Sequence, residues 1–282
     1  MAGKLFVIAT PLGNLHDLSH RAIETLREVD LVACEDTRRS SRLLAHHEIR
    51  APLLSCHRFN ERERLDGVLD RLRNGERVAL LSDGGTPIVS DPGSLLVAAA
   101  IEAGLEVSPI PGPSAVTALL SVAGFDADRF VFDGFLPHRA GERRRRLREL
   151  VSETRTVVLF ESPHRIVESL RDVESIFGER PVALGRELTK LHETILHGPA
   201  HEIAGRLGPE VRGEITVAIK GASTAAEVAS ADRDAERTSK VWRAALDQAD
   251  GDRREALRSA ARELGVKKAQ LQRLLMELGE DG

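Results

Sequence analysis

Tyrosine is absent from this chain, tryptophan occurs once among 282 residues, and aromatic residues make up 3%. That excludes an extended platform for stacking successive bases, so nucleic-acid contact would have to rest on phosphates and shape. Cysteine is almost missing too. Cys34 and Cys56 show neither a disulfide framework nor metal-ligand spacing; Cys34, inside the apolar run Leu31–Cys34, reads as a small buried hydrophobe. His46, His47 and His57 have no ligand spacing either, so no metal is expected. No apolar run reaches membrane-spanning length, and the start lacks a basic, apolar and cleavage-site succession. A cytoplasmic protein with no membrane partner is expected. The chain opens without GxGxxG and nowhere carries GxxxxGK followed by Ser or Thr, which excludes a dinucleotide fingerprint and a P-loop.

What is present suits packed α/β domains. Hydrophobic residues make up 41%, and the length accommodates two modest domains plus an extra module. The run Val78–Leu81 reads as a buried parallel strand, and it ends in Ser82-Asp83-Gly84-Gly85-Thr86-Pro87-Ile88-Val89-Ser90-Asp91-Pro92-Gly93. Open α/β sheets bind ligands beyond the carboxyl ends of their strands. Gly84-Gly85 would let backbone groups approach a ligand closely, although Gly-Gly alone suits an ordinary turn. Lys4–Ala9 followed by Thr10-Pro11-Leu12-Gly13-Asn14 repeats the logic. So does Leu105–Ile110 followed by Pro111-Gly112-Pro113-Ser114-Ala115, where Ser114 is an N-cap or a ligand contact.

These blocks carry a resemblance. Thr10–Ser40, Leu80–Gly93 and Ile110–Ala115 resemble the tetrapyrrole-methylase superfamily of S-adenosylmethionine-dependent enzymes, and within it the branch that 2′-O-methylates a cytidine of small-subunit ribosomal RNA. Phe132-Asp133-Gly134-Phe135-Leu136-Pro137, Leu159–Arg165 and Gly185–Lys190 agree. The resemblance covers roughly the first four fifths of the chain in unbroken order. It implies a two-domain α/β class III methyltransferase fold with S-adenosylmethionine in the cleft between the domains. It also implies a homodimer acting on a decoding-region cytidine (cytidine 1402) of 16S rRNA in the small ribosomal subunit. Rival readings are C-methylation of a tetrapyrrole precursor and a noncatalytic RNA-binding regulator. An intact set of cofactor loops speaks against the regulator. The basic clusters and the Cys34–Arg38 and Glu161–Arg165 blocks speak against the small-molecule branch.

Alternating signals divide the chain into an α/β domain at 1–112, a mixed α/β domain at 113–220, a flexible linker at 221–238 and a helical module at 239–282. Strands are expected near 4–9, 31–34, 53–55, 78–81 and 105–110, then at 130–132, 156–160, 182–186, 193–196 and 214–219. The tail reads as helix, Gly265 turn and helix, a helix-turn-helix-like arrangement. Between Arg253 and Arg273 it carries seven Lys or Arg against two Glu, a local basic excess despite a net charge of −4 overall. A three-helix bundle for dimerisation or docking is the bland alternative.

Carried over from the superfamily residue by residue, the cofactor site comprises Pro11, Leu12, Gly84, Gly85, Thr86, Val89, Ser114, Ala115, Phe160 and Leu184. Many relatives have Asp after the glycine pair where this chain has Thr86, and Asp83 is the alternative. A ribose hydroxyl needs alignment and gains from a base. Polar residues after strands supply candidates, Glu35-Asp36-Thr37-Arg38 in the first domain and Glu161 and His164-Arg165 in the second among them: Asp36 is favoured as base, with Glu161 as a further carboxylate, and Arg38, Arg165, Arg186 and Lys190 as phosphate or sugar holders. Each has a structural alternative, such as an Asp36–Arg38 ion pair or a solvated Lys190. Arg139, Arg143, Arg144, Arg145 and Arg146, with Lys267 and Lys268 of the tail, are expected to contact RNA phosphates. A solvated helix face is the alternative for the arginines.

Overall fold

A computed structural model describes residues 3–208, 210–222, 225–250, 252–264 and 266–278, and for 225–235, 273 and 277 the backbone alone. In the first half, strands β1 (Lys4–Ile8), β2 (Leu31–Cys34), β3 (Leu53–Ser55), β4 (Arg77–Leu81) and β5 (Glu106–Ile110) alternate with helices α1 (His20–Glu28), α2 (Thr37–His46), α3 (Glu61–Arg73) and α4 (Ser94–Glu102). The strands form one sheet in the order β3-β2-β4-β1-β5, and every pair in it is parallel.

Period-two burial explains the helices on both faces. Phe6, Ile8, Val32, Cys34, Ala79 and Leu81 point to one face and pack against Ala22 and Leu26 of α1 and Leu43 and Leu44 of α2. Leu5, Leu31, Ala33, Val78 and Leu80 point to the other and pack against Val68 and Leu72 of α3 and Leu96 and Ala100 of α4. Such two-sided burial makes these strands continuous apolar runs. The chain leaves β1 toward β2 but leaves β4 in the opposite direction, toward β5. The strand order therefore reverses between β1 and β4, where open α/β sheets form their ligand crevice.

The second half contributes α5 (Ala115–Ala123), β6 (Phe130–Phe135), α6 (Ala140–Glu149), β7 (Thr156–Glu161), α7 (Ile166–Phe177), β8 (Val182–Arg186), β9 (Thr194–Gly198), α8 (Ala200–Arg206) and β10 (Ile215–Ile219). A second sheet runs β6-β7-β10-β8-β9. β6 is longer than expected because its parallel pairing with β7 is interrupted between Phe132 and Phe135, where Gly134 takes the left-handed backbone (φ 68°) of a bulge.

Two compact units emerge. The first runs to Ala123 and takes in Leu184–Ile195 and Gly213–Thr216; the second holds the remaining described residues. The boundary expected at 112/113 thus falls after α5. The expected linker at 221–238 is largely helix as well. α9 spans Ala225–Gln248, because Ala, Glu, Arg and Lys favour helix even without an apolar stripe. Residues 223 and 224 of that linker, Gly265 of the expected turn and 279–282 of the tail lie outside the described residues. α10 (Arg253–Glu263) and α11 (Lys268–Leu278) complete the tail, with Trp242, Ala245, Ala256, Ala260, Leu271 and Leu275 buried together. No described helix is long and apolar enough to cross a membrane.

Candidate functional site

The loop after β4 is a hub to which its neighbours are tied. The Thr10 amide donates to the Gly85 carbonyl (2.8 Å) and the Gly85 amide to the Thr10 carbonyl (2.9 Å), joining the loops after β1 and β4. The Asp36 amide donates to Asp83 Oδ1 (3.0 Å), with Arg39 3.5 Å from the other oxygen, which joins the loop after β2. The Thr86 hydroxyl donates to the Pro113 carbonyl (3.2 Å), which joins the loop after β5.

This hub reassigns several expected contacts. Gly85 is buried with both backbone groups engaged and takes φ 85°, so its glycine is required by the fold itself. Gly84 is the open one. Its amide and carbonyl make no hydrogen bond among the described residues, and a Cβ there would meet the Pro11 carbonyl at 3.4 Å and the Leu12 backbone at 3.8 and 3.9 Å, all ordinary contacts. Asp83 and Thr86, the two candidates for the loop carboxylate's role, both spend their side chains on neighbouring loops. Pro11 is buried, Leu12, Ser114 and Ala115 are partly exposed, and Val89 is exposed. Ser114 stands at the start of α5, where its carbonyl accepts from the Ala118 amide (2.9 Å). Leu184 is fully buried, so its side chain serves the core.

Backbone strain concentrates here. Among the described residues, six that are not glycine have positive φ, and four lie in two segments of this unit: Ile88 (76°) and Ser90 (68°) after β4, Glu187 (52°) and Thr189 (67°) after β8. A β-branched residue in that region is a true outlier, held only by its surroundings and typical of functional loops. The Glu187–Lys190 segment sits against the loop after β1. The Asn14 amide donates to the Thr189 hydroxyl (3.2 Å), and a Cβ on Gly13 would strike Lys190 Cγ at 2.0 Å.

The expected catalytic residues fare unequally. Asp36 caps α2 by accepting from the Arg38 amide (2.8 Å), and it also holds the Arg38 guanidinium through Nε (3.1 Å) and Nη2 (2.8 Å). These hydrogen bonds from Arg38 lower its carboxyl to about 2, so Asp36 does not fit the role of base. Lys190 is bonded to Glu187 (2.7 Å) and Glu214 (3.2 Å) and is not a free cation. Arg186 reaches Thr194 (3.2 Å), while its Nε is buried without a partner. In the second unit, Glu161 is buried and accepts from the Ser162 amide (2.7 Å) and the Ser169 hydroxyl (2.6 Å), with Arg165 at 2.5 Å. Arg165 also donates to the Leu136 carbonyl (3.2 Å). That pair is a structural clamp, not a reactive one.

Two carboxylates other than the favoured base stand out: Glu35, in the polar run after β2, and Asp91, which is not among the sequence candidates. Burial, then the Glu35 carboxylate, pushes Asp91 up to about 6 against the pull of a Ser82 hydrogen bond, with Asp83 and Glu214 adding to the rise. Burial and then Asp83 raise Glu35, against Arg39, Arg58 and His57. Such displaced proton affinities mark functional sites. Their signal in the sequence, an acidic residue in each of two strand-end loops, shows only once the loops converge. Phe132 and Phe135 were missed likewise: they pack around Phe160 at centroid distances of 4.9 and 5.5 Å.

The arginine cluster is mostly neutralised. Arg143 is 3% exposed and donates to Asp172 (2.7 Å), so it is a core ion pair and not an RNA contact. Arg144 lies 3.6 Å from Asp172, Arg146 is bonded to Asp133 and Glu149, and Arg139 to Glu142 (3.3 Å). Arg145 is exposed and makes no ion pair among the described residues, and Lys267 and Lys268 are exposed. No cluster of three or more His, Cys, Asp or Glu that could hold a metal ion occurs among the described residues.

Comparison with known proteins adds the family. The profile of the tetrapyrrole (corrin/porphyrin) methylases matches residues 4–204. A Pseudomonas aeruginosa protein named ribosomal RNA small subunit methyltransferase I is 50% identical, covering 78% of this chain and 79% of its own. The Escherichia coli O157:H7 protein of that name is 41% identical over 98% of this chain and 95% of its own. The Thermotoga maritima one is 46% identical over 78% of this chain but 99% of its own, so about a fifth of this chain has no counterpart there. Among solved structures, a diphthine synthase aligns with a TM-score of 0.63 at 17% identity, covering 83% of this chain and 95% of its own. A uroporphyrin-III C-methyltransferase from Thermus thermophilus aligns with a TM-score of 0.54 at 19% identity, covering 77% and 94%. These two speak for the fold alone.

Proposed function

The chain belongs to the tetrapyrrole (corrin/porphyrin) methylase family, and from that premise we propose that it methylates the ribose 2′-hydroxyl of a cytidine in small-subunit ribosomal RNA, with S-adenosylmethionine as donor. The chosen target is the decoding-region cytidine 1402 of 16S rRNA, in the cytoplasm, by a homodimer. The observation that carries the reading is the hub after β4, set at the strand-order reversal of a parallel sheet in a chain half identical to a relative with that name.

The residues present fit the donor. The open backbone groups of Gly84 suit hydrogen bonds to its polar atoms, and the start of α5 at Ser114–Ala115 suits its carboxylate. Asp83, Glu35 and Asp91 make the neighbourhood acidic, which suits its positive charge. When bound, S-adenosylmethionine supplies an electrophilic methyl on a sulfonium. The chain must then fix the acceptor oxygen in line and take its proton. A positioned base adds ~10²–10⁴-fold. Glu35 and Asp91 replace Asp36 as candidates, because Asp91 at about 6 and Glu35, raised by burial and Asp83, hold a proton better than a carboxylate at about 2. Arg186, with an unused Nε, is the cation placed for phosphate or sugar, while the exposed Arg38 has its guanidinium held by Asp36. Arg145, Lys267 and Lys268 extend phosphate contact outward.

Nuclease digestion and mass spectrometry of ribosomal RNA from a deletion strain test the assignment. Loss of the 2′-O-methylcytidine, restored by the wild-type gene, is expected; an undiminished product removes the function.

A further inference from the structure

Phe59 stands out among the eight phenylalanines. It is 92% exposed, at the carboxyl end of β3. Single exposed apolar residues are common and mean little alone; the mounting and surroundings of this one carry the argument. The turn bearing it is closed by hydrogen bonds. Asn60 Oδ1 accepts from the His57 amide (2.7 Å), Asn60 Nδ2 donates to the Ser55 carbonyl (3.2 Å), and the Glu61 amide donates to the His57 carbonyl (2.9 Å). Glu61, 5% exposed, then grips the Leu95 and Leu96 amides at the start of α4 (3.0 and 3.1 Å). His57 meets the Phe59 ring edge-on, with centroids 6.1 Å apart.

The turn also lies beside the candidate site. The Cys56 amide donates to the Cys34 carbonyl (2.8 Å), immediately before Glu35, and the charges of Arg58 and His57 act on Glu35. Arg58 immediately precedes Phe59 and Arg62 follows it in the first turn of α3; both are exposed and without an ion pair among the described residues. An exposed aromatic face on a turn that also carries two unpaired arginines matches a nucleotide, with its base on the ring and its phosphates on the arginines.

We propose that Phe59 stacks on one unpaired base of the RNA next to the acceptor nucleotide, flanked by Arg58 and Arg62. The proposal rests on the reading of an RNA substrate. It adds a single stacking position to a chain too poor in aromatics for a platform.

The test compares full-length wild type with Phe59→Ala, Phe59→Leu and Phe59→Trp on small ribosomal subunits. Alanine is expected to raise KM for the subunit about tenfold, with kcat and the dissociation constant for S-adenosylmethionine unchanged. Leucine should behave like alanine, and tryptophan should restore KM. In parallel, a single-stranded oligoribonucleotide carrying 2-aminopurine should be quenched by wild type and Phe59→Trp but not by Phe59→Ala. An active wild type with an equally active, equally quenching Phe59→Ala overturns the stacking assignment alone. Leucine restoring KM, or a change in sedimentation mass on Phe59→Ala, makes Phe59 a protein contact and also overturns it. A wild type that neither methylates subunits nor binds the oligonucleotide overturns the RNA reading, and this proposal with it.

Discussion

In the loops that converge on the β4 hub, Glu35 and Asp91 make no ion pair among the described residues, and the open polar group is the Gly84 backbone. At the start of and along α6, by contrast, Arg139, Arg143, Arg144 and Arg146 each have a carboxylate partner, and of these five arginines Arg145 makes no ion pair among the described residues. A helix turns successive side chains about 100° apart, so four adjacent arginines face four directions, and those facing α7 and β6 meet Asp172 and Asp133. Strand-end loops do the reverse: they gather residues distant in sequence. A dense run of one charge therefore says little about availability, whereas scattered acids at strand ends can share one spot.

Arg143→Ala should give the largest effect on the α6 side. It takes from the buried Asp172 its hydrogen-bonded partner, leaving Arg144 at 3.6 Å, and should cost about 3 kcal/mol, read as a lower denaturation midpoint at unchanged slope. A loss no greater than that of Arg145→Ala would erase the contrast between buried and exposed arginines. On the hub side, Gly85→Val forces a β-branched residue to φ 85° with Leu12 Cδ2 3.3 Å from its Cβ. It should destabilise by about 1–3 kcal/mol as well as abolish S-adenosylmethionine binding in calorimetry. Gly84→Val should keep the melting temperature and lose binding, which separates fold from site at adjacent residues.

Asp91→Asn sharpens the hub side through pH. A carboxyl raised to about 6 from 3.8 is protonated in the folded protein before the unfolded one. The stability it lends is full below pH 3.8 and is lost as pH rises through 6. The substitution should stabilise by about 1–2 kcal/mol at pH 8, after allowance for partial exposure, and by nothing at pH 3.5. A gain independent of pH would mean that Asp91 has an ordinary proton affinity. Smallest of all, Arg145→Ala should change stability by less than about 0.5 kcal/mol yet weaken subunit binding and lower its salt slope by about one. An unaltered slope would leave α6 without an RNA contact.

Much of this was legible in the sequence, and for identifiable reasons. The runs Leu31–Cys34 and Arg77–Leu81 are apolar because both faces are covered, so their strands showed directly. α2 starts at Thr37 because Asp36 caps it. That cap also removes Asp36 as a base, a consequence visible only when Arg38 is seen folded back on the carboxylate. Glu161 and Arg165, four residues apart, pair across the start of α7 and turn inward. Side-chain partners decided each misassignment, and partner identity is a property of the folded arrangement that local spacing does not encode.

The position of β4 between β2 and β1 sets a condition on biosynthesis. A nascent chain that has emerged through β3 holds β1 and β2 but not the strand that fills the gap between them. Only when residues 77–81 arrive, more than seventy positions after β1, can the sheet close and the Thr10–Gly85 latch form. Such long-range closure is slow and leaves apolar edges waiting. A fragment ending before Arg77 should thus show no cooperative unfolding, while one extended through Ala123 should.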